Sequence, residues 1–184
     1  MSRHSISAFP LLSGRAHEVC GPGACVFAFM LAAQIGGRVL WGREKWRPEQ
    51  LDPTGVSEFF DPSDLLVATA KDQAEVLAVA EEALRSGAIS LVVMELGKSP
   101  GLTEGRRLQL AAKAGKSTGL AIIPQGQGCN AAETRWQCAP VFDPADSTLQ
   151  EWELIKNKSG TLGVWYVRWT HATRRFSVVS PPGK

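Results

Sequence analysis

Ala16-His17-Glu18-Val19-Cys20-Gly21-Pro22-Gly23-Ala24-Cys25 joins three signals in ten residues: a run short enough for a strand, a Gly-Pro-Gly turn, and the first residues of an apolar stretch. From about Val26 to Ile35 the chain is almost wholly apolar and reads as a helix, which Gly36-Gly37 stops before Arg38-Val39-Leu40-Trp41 resumes as a strand. Strand, helix, strand is a βαβ unit, and its short apolar strands suit a parallel sheet covered on both faces. The fold class predicted from this unit is α/β.

Outward from that unit the alternation continues. Residues 42–64 are rich in Pro, Gly and charge, with Val56, Phe59 and Phe60 as candidates for a short helix at the sheet edge. Leu65-Leu66-Val67-Ala68 returns as a strand, and Asp72 with Glu75 forms a capping box for a helix that ends near Gly87. Ile89 to Leu96 reads as a buried central strand. Thr103 is the expected cap of the next helix, which carries Leu108, Ala111 and Ala112 on its apolar side and ends at Gly115. Leu120 to Ile123 follows as a strand. Beyond Gln125 the pattern changes: Trp136, Trp152 to Ile155, Val164 to Trp169 and Phe176 to Val179 alternate with polar residues and have no helices between them, which predicts antiparallel pairing. The central sheet is thus expected to be mixed, mainly parallel and flanked by helices, with antiparallel strands last.

A chain of 184 residues with 44% hydrophobic content suits one core. Residues 1–15 read as a mobile polar segment and 16–184 as one domain. Twenty Lys and Arg against 18 Asp and Glu leave a formal charge of +2, too small a bias to predict nucleic-acid binding from global electrostatics. No apolar run approaches the roughly 20 residues that span a bilayer, and the first twelve residues lack the apolar core of a secretion signal, so the expected location is cytoplasmic, with no membrane partner. Cys20, Cys25, Cys129 and Cys138 have no CxxC spacing and read as small buried hydrophobes.

A glycine-rich turn between a strand and a helix is where phosphate-binding loops sit. They use backbone N–H groups, a Lys for the outer phosphates and a Ser or Thr for magnesium. Gly21, Pro22, Gly23, Ala24 and Cys25 supply the turn without the Lys or the hydroxyl, so the expectation is a degenerate loop, no cofactor and no catalytic residue. Glu95 ends an apolar strand, where a magnesium-binding carboxylate would stand; as a degenerate version it carries no metal assignment. His17, Glu18 and Cys20 alternate along one strand without a third orienting group, which argues against a nucleophile and its base.

Taken in order, the Gly-Pro turn at Gly21 to Cys25, the run Leu84 to Ile89, Arg106-Arg107-Leu108 and Ile155-Lys156-Asn157-Lys158 resemble the RecA ATPase core over roughly Ala16 to Val179. Within that superfamily the sequence resembles the ImuA family of SOS mutagenesis accessory proteins. The resemblance lies in His17-Glu18-Val19, Val39-Leu40-Trp41, Leu102-Thr103 with Arg106 to Ala112, Thr134-Arg135-Trp136, and Leu154 to Lys158 followed by a Trp-rich strand. It implies a RecA-like fold and a non-catalytic role in damage-induced translesion synthesis. The partners it implies are an ImuB-like Y-family polymerase homologue, an error-prone replicative-type polymerase and RecA. Departures from the active RecA pattern are the missing loop Lys and hydroxyl, Arg43 and Glu44 near the place of the catalytic glutamate, Glu95 in place of Asp, and a DNA-binding loop shortened to Gly126 through Glu133. Two alternatives stand beside it. One is a cell-division inhibitor like SulA that binds FtsZ, although such chains stop soon after the strand at Leu120 to Ile123. The other is a RecA-like ATPase with an unorthodox loop.

In the last strands, period-two alternation sets Trp152, Trp165 and Trp169 toward a core and leaves Tyr166 and Arg168 on the opposite face as partner-binding candidates. Arg106, Arg107, Lys156 and Lys158 are further partner-binding candidates and, with Lys113, Arg168, Arg174 and Arg175, candidates for a local basic surface that makes weak DNA contact. Trp41, Trp46, Phe59 and Phe60 are either a partner patch or part of the core.

Overall fold

The computed structural model describes residues 6–181. In chain order its main elements are β1 (Ala16–Cys20), α1 (Ala24–Ile35), β2 (Val39–Glu44), α2 (Pro53–Ser57), β3 (Leu65–Ala70), α3 (Gln73–Ser86), β4 (Leu91–Glu95), α4 (Leu102–Gly115), β5 (Thr118–Ile122), β6 (Thr134–Pro140), β7 (Gln150–Asn157), β8 (Gly163–Thr170) and β9 (Arg175–Val179). All nine strands share one sheet, in the order β3-β2-β4-β5-β1-β6-β7-β8-β9. The first six positions run parallel and the last four antiparallel, so β6 belongs to both halves. This is the mixed, mainly parallel α/β sheet expected, with one correction. The segment around Trp136 was grouped with the antiparallel strands, but it pairs parallel to β1 (Val19 opposite Trp136) before turning antiparallel to β7.

Two cores hold the layers together. On one face α1 sets Phe27 and Leu31 against Trp41, Trp136 and Trp152, all fully buried. On the other, α3 and α4 bring Leu84, Leu108 and Ala111 against Val92 and Met94. The amphipathic α3 starts as its sequence predicts: the Asp72 carboxylate accepts from Glu75 N–H (3.0 Å), and Glu75 accepts from Lys71 N–H (2.7 Å). The cap of α4 is Gly101 rather than Thr103. Glu104 reaches back to accept from Gly101 N–H (2.6 Å), so a glutamate in the first turn does what a capping hydroxyl was expected to do.

Residues 6–15 depart from the mobile segment expected over 1–15, whose first five residues lie outside the described range. Ile6, Phe9 and Leu11 are each buried, and the Phe9 ring lies 4.9 Å from Trp152 and 5.5 Å from Phe27. Residues 6–12 are apolar apart from Ser7, and Ile6, Phe9 and Leu11 cover the edge of the α1 core in a run too short to register as periodic. In the middle segment Trp41 is buried, Phe60 joins the core, Phe59 stacks on Trp169 (5.1 Å), and Trp46 remains 63% exposed. Among the described residues no helix is long and apolar enough to cross a membrane.

Candidate functional site

The carboxyl ends of parallel strands are where α/β sheets bind ligands, because strand-to-helix turns leave N–H groups and a crevice there. Three features meet at that end: the β1–α1 turn, Glu95 at the end of β4, and a cleft of about 660 Å³ whose lining includes Cys25, Arg43, Arg47 and Glu95.

The turn is filled by its own chain. Gly23 N–H donates to the Cys138 carbonyl on β6 (2.8 Å), and Phe27 N–H donates to Gly23 O (2.9 Å). Gly21 holds φ at +91°, and a Cβ there would lie 2.5 Å from the Cys138 carbonyl oxygen; a Cβ on Gly23 would lie 3.0 Å from Cys138 C. Both glycines are therefore explained by close approach to β6, in the place where a phosphate-binding loop needs glycine for close approach to its ligand.

Glu95 is engaged as fully. Its Oε1 accepts from the Trp41 indole N–H (2.6 Å), and its Oε2 lies 3.2 Å from an Arg43 guanidinium nitrogen and 3.9 Å from Arg47 Nε. Trp41 and Arg43 share one face of β2, and the register that sets Gly42 opposite Met94 brings Arg43 beside Glu95. A carboxylate held by an indole N–H and a buried guanidinium does not fit a magnesium ion, which would have to displace one cation to meet another. A magnesium–nucleotide therefore does not fit the residues of this end: the turn offers neither ammonium nor hydroxyl, and the carboxylate is already paired. Cys25 sits at the cleft, the one exposed thiol of the four cysteines. Burial among its neighbours, then the Glu95 charge, pushes that thiol up from its ordinary pKa.

No family model matches the chain. The chain is similar to Protein ImuA. Two such proteins, from Caulobacter vibrioides strains NA1000 / CB15N and ATCC 19089 / CIP 103742 / CB 15, are each 29% identical to it over an alignment of 184 residues that covers 83% of this chain and 73% of the relative.

The other sequence-selected residues of this ImuA-like chain fall into separate groups. His17 and Glu18 point to opposite faces of β1 and form no catalytic pair. His17 is 1% exposed; its Nε2 donates to Leu12 O (3.1 Å) and its Nδ1 accepts from Thr134 Oγ1 (2.8 Å), which in turn accepts from Trp136 Nε1 (3.0 Å). Burial lowers its pKa from 6.5 to about 4, so the ring is neutral and its tautomer is set by these partners. Glu18 accepts from Arg135 Nε (2.7 Å) and Cys129 N–H (2.8 Å).

Lys156 and Lys158 hold a loop. Lys156 Nζ donates to Cys129 O (3.2 Å), Asn130 O (2.9 Å) and Ala132 O (2.5 Å), and Lys158 Nζ to Ala131 O (2.7 Å). Desolvation, then the neighbouring Lys158 and Arg135 charges, lowers the Lys156 pKa. Arg107 pairs with Glu81 (2.7 Å), while Arg106 shares a shallow depression with Leu102, Leu110 and Lys158. Arg168 is bound to Asp143 (2.9 Å) and Asp146, and Arg174 donates to Ser57 O (2.9 Å). Tyr166 is half-buried and donates to Glu151 Oε2 (2.5 Å); it lies opposite Val167 and Trp169, as alternation predicts. Five of the eight basic residues, Arg107, Lys156, Lys158, Arg168 and Arg174, are therefore engaged by carboxylates or carbonyls of the same chain. Sequence reasoning missed Cys138 as the residue that fills the turn and Arg43 as the partner of Glu95. The second had a signal: opposite charges closing two apolar strands.

Proposed function

We propose that the chain is a RecA-like, non-catalytic accessory protein of SOS mutagenesis that works by binding protein partners. The observation that carries this reading is the filled nucleotide end, where the Gly21–Gly23 turn and Glu95 are bound to Cys138, Trp41 and Arg43 of the same chain. The similarity to Protein ImuA supports the biological setting. The strand–turn–helix at β1 and α1 within a parallel sheet supports the RecA-like descent. The four C-terminal strands β6 to β9 favour this reading over a SulA-like inhibitor, because Trp136, Trp152, Leu154, Val167 and Trp169 belong to the main core and the strands are not an appendage.

The partners it implies are an ImuB-like Y-family polymerase homologue, an error-prone replicative-type polymerase and RecA. A protein with no nucleotide to release has no nucleotide-driven switch, so its contacts are constitutive and set by its abundance after damage. Affinity capture with the full chain from damage-treated cells tests the reading. Recovery of the polymerase homologue or RecA supports it, and recovery of neither contradicts it.

A further inference from the structure

The two helices that cover the second face of the sheet differ in what they show to water. Both α3 and α4 have 14 residues, and each buries one apolar side against the sheet. The outer side of α3 carries Glu75, Glu82 and Arg85 and no exposed large apolar residue, as an amphipathic surface helix should. On α4, Leu102 is 49% and Leu110 65% exposed, with Arg106 between them. Steps of four residues put all three on one stripe of the helix, roughly 12 Å from first to last at about 1.5 Å per residue.

That stripe borders a depression of about 580 Å³ whose other side is formed by Asn130, Ala131 and Lys158. The chain itself fixes these walls. Gln109 donates to Ala16 O (2.7 Å) and to Ala131 O (3.0 Å), which ties α4 to β1 and to the loop, and Lys158 Nζ donates to Ala131 O (2.7 Å). A ligand therefore meets a surface that is already ordered.

The depression is positive, and its neighbours do not cancel the charge. Its lining holds Arg106 and Lys158 and no carboxylate. Arg106, Lys158 and Lys113, two turns further along the stripe, are exposed, and none is ion-paired among the described residues. Lys158 uses one N–H on a neutral carbonyl, which leaves its charge and two donors free. Of the nearby carboxylates, Glu104 lines the hollow on the α3 side with Glu81 and Arg107, Glu133 is paired with Arg15 (3.6 Å), and Glu18 with Arg135 (2.7 Å). A phosphate backbone would meet the cations but gain nothing from two leucines set among them, whereas an amphipathic protein segment uses both. The order apolar, basic, apolar along α4 sets the complement: apolar residues about two turns apart on a helix, with carboxylates between them on the same side.

We propose that the Leu102–Arg106–Leu110 stripe of α4, with Lys158 across the depression, docks an acidic amphipathic helix of a protein partner, whose apolar residues cover the two leucines and whose carboxylates meet Arg106 and Lys158. The proposal rests on the partner-binding reading and adds to it the place and the chemistry of one contact.

The probe is a labelled, acetylated and amidated alanine-based helix of about 16 residues, long enough to be helical alone. It carries leucines seven residues apart and glutamates three and four residues after the first leucine; its control has glutamine in place of both glutamates. Fluorescence anisotropy with the full chain gives the affinities, and leucine methyl resonances report the surface touched. The glutamate peptide is expected to bind with a Kd below about 1 mM, about threefold or more tighter than the control, as exposed ion pairs allow, and to move the Leu102 and Leu110 methyl signals. Arg106→Gln removes the preference for glutamate, and Leu110→Gln weakens both peptides about fivefold or more. Both positions are exposed, so thermal melts stay unchanged, and Arg85→Gln on α3 alters neither affinity. Equal affinity for the two peptides, unmoved methyl signals, or affinities unchanged in both variants overturns the proposal. A single-stranded oligothymidylate that binds through Arg106 and ignores Leu110→Gln, where the peptide does not bind, makes the surface a nucleic-acid contact and overturns it too. Partner capture that survives both variants also counts against this face and leaves the partner-binding reading intact. Glutamate-specific binding by a chain that captures no partner supports the face while contradicting that reading.

Discussion

The two halves of the sheet solve the same problem differently. From β3 to β1 the strands run parallel and are covered by α1 on one face and by α3 and α4 on the other, so fully buried residues occur on both faces of β4: Leu91 and Val93 on one side, Val92 and Met94 on the other. From β6 to β9 only the α1 face is packed, by Trp136, Trp152, Val167 and Trp169, while the opposite face carries Glu151, Tyr166 and Arg168. The parallel half retains the crevice at its carboxyl end. The antiparallel half closes part of that crevice, because β6 places Cys138 against the glycine turn.

If the halves form one cooperative unit, damage to either destabilises both. Trp152→Ala, which empties a fully buried site touching Phe9 and Phe27, is expected to cost about 3–5 kcal/mol in denaturant unfolding, in a single transition. Two separate transitions would divide the molecule at β6. In the parallel half, Glu95→Ala leaves Arg43 buried without its counter-ion, and a loss of about 3–4 kcal/mol is expected. A neutral result would mean that Glu95 is not engaged by the protein and is free for a metal.

The junction of the halves has a pH signature. His17 is neutral in the fold, with a pKa near 4 against 6.5 in the unfolded chain, so between these values the unfolded state binds the extra proton. Stability is complete above pH 6.5 and falls by about 3 kcal/mol as the pH drops toward 4. Urea midpoints measured across this range should flatten in His17→Gln; an unchanged slope would place the titration elsewhere. Gly21→Ala is expected to have a smaller effect, about 2 kcal/mol, from the positive φ and the contact with Cys138. Thermal melts that show no loss would mean that β6 does not fill the turn.

Much of this was legible in sequence, for local reasons. The β1–α1–β2 unit, the Asp72 cap and the alternation that puts Tyr166 opposite Trp165 and Trp169 all depend on residues within one turn or strand of each other. What escaped depends on contacts between distant segments. Phe9 reads as part of a polar tail until Trp152 gives it a partner, and Lys156 reads as part of a basic binding surface until the carbonyls of residues 129, 130 and 132 surround it. The degenerate turn was visible as an absence of Lys and Ser; that Cys138 fills it was not, because strand order cannot be counted from one sequence.

The most direct test of the filled nucleotide end is calorimetric titration of the full chain with Mg-ATP. A turn engaged by Cys138 and a carboxylate held by Trp41 and Arg43 predict no saturable heat, with any Kd weaker than about 1 mM, or about −4 kcal/mol. Saturable one-site binding tighter than about 10 µM, about −7 kcal/mol, would contradict it.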